Sequence, residues 1–219
     1  MRPVLSDKVA VIGSSQARVL AGWGNAGKVE VVGIPRIDKL AKSWRDSQGH
    51  QPLKENAPLR ILVATAKTPG FTPEQIETTT RSLSDLKSFV DSQPEFDGRK
   101  LEVTWRLTAG LDSKIGVENS LSDLSGMELR DAIAKCDAFI TTPSTSMLES
   151  MLQHKPTALL DYHECPDYVP AAWKILRPNR SLRFCDNLLI RNQNAFSTKM
   201  RFWLTHYKSL NRQPIASSS

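Results

Sequence analysis

Short apolar runs alternate with stretches of helical periodicity along this chain, and that alternation limits the possible folds more than any other feature. Leu59-Arg60-Ile61-Leu62-Val63-Ala64, Ala138-Phe139-Ile140-Thr141 and Thr157-Ala158-Leu159-Leu160 read as buried strands, and 101–107 alternates with period two as another. Between the first and last of them, Thr72-Pro73-Glu74 sets a threonine N-cap before a proline at the first helical position. Ile76, Leu83, Leu86, Phe89 and Val90 then continue one apolar stripe. Further helices are expected over 127–135 and from a cap at Ser144 or Ser146 to about Gln153. Nearer the start, 9–12 and 29–32 read as strands on either side of a helix near 16–21. This order predicts an α/β protein with a Rossmann-like parallel sheet and helices on both faces.

With 219 residues, 40% of them hydrophobic and 24% charged, the chain has the make-up of an ordinary globular protein and can bury a core without staples. Its longest uncharged apolar runs are far short of a membrane span, and 8–12 is too short for a secretory core, so the chain reads as cytoplasmic. Cys136, Cys165 and Cys185 stand 29 and 20 residues apart with no zinc-type spacing, and the histidines are scattered. Reduced thiols and no metal site are therefore expected. The net charge of +6 is concentrated at one end, because residues 177–219 hold eight Lys/Arg and a single acid. A basic tail attracts phosphates. It lacks the interleaved aromatics of a nucleic-acid binder, so no nucleic-acid partner is expected. Phe196, Met200, Trp203, Leu204 and Tyr207 share one face of its helix, which reads as packing against the domain. Contact with the inner face of an anionic membrane is the alternative.

Parallel sheets take ligands beyond the carboxyl ends of their strands. That singles out 65–72, 108–116 and 142–146. In the last of these a strand runs through Thr142-Pro143-Ser144-Thr145-Ser146 into a helix. Unpaired N–H groups at a helix start, with the positive end of its dipole, favour an anion. The hydroxyls of Ser144, Thr145 and Ser146 add donors suited to phosphate. Glu149 follows Ser146 by three residues and has two readings: the acid of a capping box, or a carboxylate accepting from two ribose hydroxyls. Arg106, at a strand end, and Lys67, just after another, are cations placed to balance phosphate, with a plain surface role as the alternative for each. Gly22-Trp23-Gly24-Asn25-Ala26-Gly27 matches G-x-G-x-x-G, but it follows a helix and precedes a strand, the reverse of a dinucleotide fingerprint, and so reads as a turn.

Taken together, Asp137, the apolar strand, Ser144, Ser146, Glu149 and Lys155-Pro156 resemble the C-terminal nucleotide-binding domain of GT-B-type glycosyltransferases. The order is similar to that of surface-polysaccharide enzymes, including CDP-glycerol glycerophosphotransferases and sugar-nucleotide 2-epimerases. His154 stands where Gly or Asn is more usual. Val32-Gly33-Ile34-Pro35-Arg36-Ile37-Asp38 resembles the segment by which such proteins pass from the N-terminal to the C-terminal domain. The resemblance implies a domain that holds a nucleoside-diphosphate sugar or polyol, with Ser144, Thr145 and Ser146 on phosphate and Glu149 on ribose, and with no metal or other cofactor required. It implies that 1–38 is the remnant of an N-terminal domain and crossover, 39–58 a linker, 59–195 the nucleotide-binding domain, and 196–219 a C-terminal helix and tail. On that reading the catalytic base belongs to a missing N-terminal domain or partner chain. The chain would then be part of a glycosyltransferase, incomplete alone, acting in polysaccharide or glycolipid synthesis. A non-catalytic nucleotide- or anion-binding module, or an epimerase-like fragment, is the alternative.

Overall fold

The computed structural model describes residues 4–38, 57–68, 70, 72–96, 98–117, 127–163 and 173–175. The chain divides into two compact units, one of residues 1–48 with 164–172 and the other of 49–163 with 173–219. The predicted C-terminal helix, Cys165 and Cys185 lie outside the described residues.

The smaller unit is a strand–helix–strand crossover. Strand β1 (Val9–Val11) leads into helix α1 (Ser14–Leu20), and β2 (Val29–Val31) returns parallel to β1, with Val9 opposite Val29 and Val11 opposite Val31. Between α1 and β2 the chain winds through a wide turn, Ala21–Asn25, in which Gly24 takes φ 88°, and then a tight one, Ala26–Lys28. Asn25 closes this stretch from inside. Its Oδ1 accepts the Val4 N–H at 2.9 Å and its Nδ2 donates to the Leu20 carbonyl at 3.3 Å. The glycine-rich stretch is thus the helix-to-strand turn that its position predicts.

The larger unit holds a six-stranded sheet. In chain order its elements are β3 (Leu59–Ala64), α2 (Pro73–Ser92), β4 (Glu95–Phe96), β5 (Arg99–Arg106), α3 (Leu111–Ile115), α4 (Leu129–Lys135), β6 (Ala138–Thr141), α5 (Ser146–Leu152), β7 (Thr157–Leu160) and β8 (Trp173–Ile175). The strands lie in the order β4-β5-β3-β6-β7-β8. All pairings are parallel except β4 with β5. The fold is α/β and Rossmann-like, as the alternation predicts.

Strand alternation sends successive side chains to opposite faces, and the helices cover both. Leu59, Ile61 and Val63 of β3, with Ala138 and Ile140 of β6, pack with Leu83, Leu86 and Phe89 of α2 and with Leu111 and Ile115 of α3. On the other face Leu62 and Ala64 join Phe139 of β6 and Ala132 and Ile133 of α4. Helix α2 begins as its sequence requires. The Thr72 hydroxyl accepts the Gln75 N–H at 3.3 Å while Gln75 Oε1 accepts the Thr72 N–H at 3.3 Å, a reciprocal capping box.

The amino ends of β3 and β6 are tied by charge. Asp137 takes the Arg60 backbone N–H on Oδ2 at 2.9 Å, and its two oxygens take the Arg60 guanidinium at 3.1 and 3.2 Å. Nearby, the Lys155 ammonium donates to the carbonyls of Ala134 at 3.1 Å and Cys136 at 2.7 Å, where α4 ends. Helix α5 ends in a Schellman turn: the His154 N–H donates to the Met151 carbonyl and the Lys155 N–H to that of Ser150. His154 carries the left-handed φ of 54° that the turn needs. Hence Gly or Asn is the easier residue there, and the histidine changes the residue without changing the turn.

Cys136 lies in this region, buried, with its Sγ–H donating to the Ile133 carbonyl at 3.2 Å. Burial pushes the thiol up to about 11 against the opposing pull of the Lys155 ammonium. A group that holds its proton more tightly folded than unfolded stabilises the fold below its unfolded pKa, here 9.0, and that contribution is lost as pH rises through 11. At pH 10 the loss is about 1.4 kcal/mol. Urea unfolding at pH 8 and pH 10 should show this decrement in the wild type and not in Cys136→Ala. Equal pH sensitivity in the two proteins would refute it.

Candidate functional site

Where the chain reverses direction across a parallel sheet, the loops on either side part and leave a crevice at the carboxyl ends. Here β3 is followed outward by β5, and the chain then crosses back to lay β6 on the other side of β3. The switch point therefore falls between β3 and β6, and the loops beginning at Thr65 and Thr142 flank it. The two are directly bonded: the Ala66 N–H donates to Thr142 Oγ1 at 3.2 Å, and the Thr142 N–H to the Ala64 carbonyl at 3.4 Å.

A file of hydroxyls runs along this edge. Thr108, after β5, donates from Oγ1 to the Ala66 carbonyl at 2.7 Å and lies 3.0 Å from Thr65 Oγ1, which also accepts the Thr108 N–H at 3.0 Å. Beyond Thr142, the buried Thr141 hydroxyl donates to the Thr142 carbonyl at 2.9 Å and meets Ser146 Oγ at 3.2 Å. Ser146 Oγ meets Ser144 Oγ at 2.6 Å, and Ser144 Oγ accepts the Ser146 N–H at 3.0 Å.

The structure brings Ser144 and Ser146 together at the mouth of α5. The helix begins at Ser146, with Thr145 in the N-cap position and no side-chain cap bond there. Ser146 thus does not act as the cap of a Ser-x-x-Glu box; its hydroxyl joins the file. The amides that helix geometry leaves open are also largely committed. Those of Ser146, Met147 and Leu148 go to Ser144 Oγ, the Ser144 carbonyl and the Thr145 carbonyl. Thr145 is exposed, and Glu149 is half-buried one turn into the helix.

The two cations part company. Arg106 ends β5, where its Nη1 donates to the Met127 carbonyl at 2.6 Å ahead of α4. Lys67 is exposed in the loop after β3, one residue beyond Ala66. The same loop needs a glycine at position 70, because a Cβ there would lie 2.8 Å from the Ile76 nitrogen and 2.9 Å from Gln75 Cβ. The start of α2 is closed to anions. Pro73 has no N–H, Gln75 and Ile76 donate to Thr72, and Glu74 sits at the opening. Hydrogen bonds from the Thr72 hydroxyl and from its own backbone hold the Glu74 carboxyl below its ordinary range.

Thr65, Thr108 and Thr142 open the three segments that the carboxyl-end rule singles out, whereas Thr141, the last residue of β6, lies just outside them. Beyond β7, Asp161 is fully buried and paired with Lys174 of β8 at 3.1 Å, and His163 Nε2 lies 3.0 Å from Thr79 Oγ1. Among the described residues, no group of three or more His, Cys, Asp or Glu could hold a metal ion, and no helix is long and apolar enough to cross a membrane.

Comparison with models of known families, with curated proteins and with solved structures finds no match for this chain.

Proposed function

We propose that the larger unit binds the nucleotide part of a nucleoside-diphosphate sugar or polyol, as the donor-binding part of a GT-B-type glycosyltransferase. The observation that carries this reading is the switch point between β3 and β6, flanked by a hydroxyl-lined edge and the exposed Lys67. Hydroxyls and one ammonium suit phosphate oxygens, and the half-buried Glu149 suits a ribose diol. With a sugar donor, an acceptor hydroxyl joins the activated carbon and the nucleoside diphosphate leaves; with a polyol donor, the hydroxyl joins phosphorus and the nucleoside monophosphate leaves; in both, the hydroxyl proton goes to a general base. This unit would contribute stabilisation of the leaving group's charge. The acceptor and the general base would come from another domain or a partner chain.

The test is thermal unfolding with UDP, CDP, GDP or dTDP, beside Glu149→Ala. A nucleotide at ten times its Kd adds about 1.4 kcal/mol, or roughly 3–6 °C for a chain of this size. A base-selective rise lost in Glu149→Ala is the expected result. No rise with any of the four would sink the proposal. A rise that Glu149→Ala leaves intact would keep a nucleotide- or anion-binding module and remove Glu149 from the ribose.

A further inference from the structure

A hydroxyl has one hydrogen to give, and that rule orders the file at the switch point. A carbonyl only accepts, so Thr141 donates to the Thr142 carbonyl. All the contacts become hydrogen bonds together in one direction only: Ser146 donates to Thr141, Ser144 donates to Ser146, and Ser144 accepts the Ser146 N–H. By the same count Thr108 donates to the Ala66 carbonyl and Thr65 donates to Thr108. Each of these five hydrogens is used inside the protein. Thr142 differs. Its oxygen accepts the Ala66 N–H at 3.2 Å, while its own hydrogen has no acceptor among the described residues, in a side chain 4% exposed. A buried donor without an acceptor costs free energy, so it marks a place where a ligand gains.

We infer that Thr142, with the Lys67 ammonium, receives an oxyanion at the switch point, and that Ser144 and Ser146 shape the turn rather than contact that anion. The assignment rests on the reading of this crevice as a diphosphate site and moves its phosphate contact from the serines to Thr142. Ser144 keeps a lone pair for a ligand hydroxyl, which suits the sugar or polyol side of a donor better than its phosphate.

The experiment is titration calorimetry on the full chain with inorganic pyrophosphate and with UDP, CDP, GDP and dTDP. The variants are Thr142→Val, Thr142→Ser, Lys67→Met and Ser144→Ala, with far-UV circular dichroism as the check on folding. Loss of a hydrogen bond to a charged oxygen should weaken pyrophosphate binding roughly ten- to a hundredfold in Thr142→Val, with recovery in Thr142→Ser. Lys67→Met, at an exposed position, should weaken it as well and flatten its salt dependence, even if Thr142→Val fails to fold. Ser144→Ala, which removes the acceptor of the Ser146 N–H, should weaken pyrophosphate clearly less than Thr142→Val does. Wild-type affinity in Thr142→Val or Lys67→Met overturns the inference, as does a loss in Ser144→Ala as large as that in Thr142→Val. A wild type that binds neither pyrophosphate nor any nucleotide overturns the diphosphate site itself, and is recognised because no variant is needed to see it.

Discussion

Phe139→Ala is expected to cost about 3–5 kcal/mol, the range for removing a buried phenylalanine. Phe139 is 0% exposed at the centre of β6 and is the one aromatic side chain in a small cluster with Leu62, Ala64, Ala132, Ile133 and Cys136. The backbone keeps the cavity from collapsing. Strand β6 is bonded on both sides, to β3 and β7, and so cannot shift. The partly buried Met127 and Leu129 are the neighbours left to move in. A typical domain has about 5–15 kcal/mol in total, so the variant should sit close to its unfolding threshold at 37 °C. Urea unfolding should show a much lower midpoint with an unchanged slope. A loss below 1 kcal/mol would mean that α4 does not close this face.

A second large effect is expected at the far side of the sheet, where Lys174→Met should cost about 3 kcal/mol. The Asp161 side chain is 1% exposed, and Lys174 reaches it at 3.1 Å from a position 24% exposed. Removing one partner of a buried pair leaves a desolvated charge, and the cost exceeds what the pair itself contributes. The partial exposure of Lys174 puts the value at the lower end of that range. The loss should also loosen β8, because the Asp161 N–H donates to the Ile175 carbonyl at 3.0 Å. The double variant Lys174→Met/Asp161→Asn should recover part of the stability by removing the buried charge. Chemical denaturation of the three proteins settles the matter. A single-variant cost near 0.5 kcal/mol, typical of a surface pair, would contradict the burial of Asp161.

What could be read from the residues follows from how local each feature is. Strands β3, β6 and β7 are runs whose side chains are buried on both faces, and helix α2 carries its own cap, so each declares itself within a few residues. The three loops named from the rule about carboxyl ends are the loops that carry the hydroxyl edge. Strand β8 is three residues, Trp173-Lys174-Ile175, too short for any period, and α3 and β4 are shorter than a reliable pattern. The burial of Asp161 has no local signal, because it depends on Lys174 of β8, thirteen residues further along. At the switch point, composition supplies the hydroxyls, but their direction does not follow from spacing. It depends on Thr141 reaching the next carbonyl and on Ser144 turning back to the Ser146 amide. Of the resembling pattern, Asp137 and Lys155 prove to brace the amino ends of the sheet and the end of α4, while Ser144, Ser146 and Glu149 gather at the opposite edge.

The position of β3 between β5 and β6 also bears on how the chain is made. Arg60 finds Asp137 77 residues later. At a ribosomal rate of about 5–20 residues per second, roughly 4–15 s pass between the synthesis of the two. During that interval β3 can pair with β5 alone, and its other edge, with apolar side chains on both faces, has no neighbour. A polypeptide released between β5 and β6 would expose that edge permanently, which makes the stretch from 107 to 137 the place where a premature stop would yield aggregate instead of a soluble remnant.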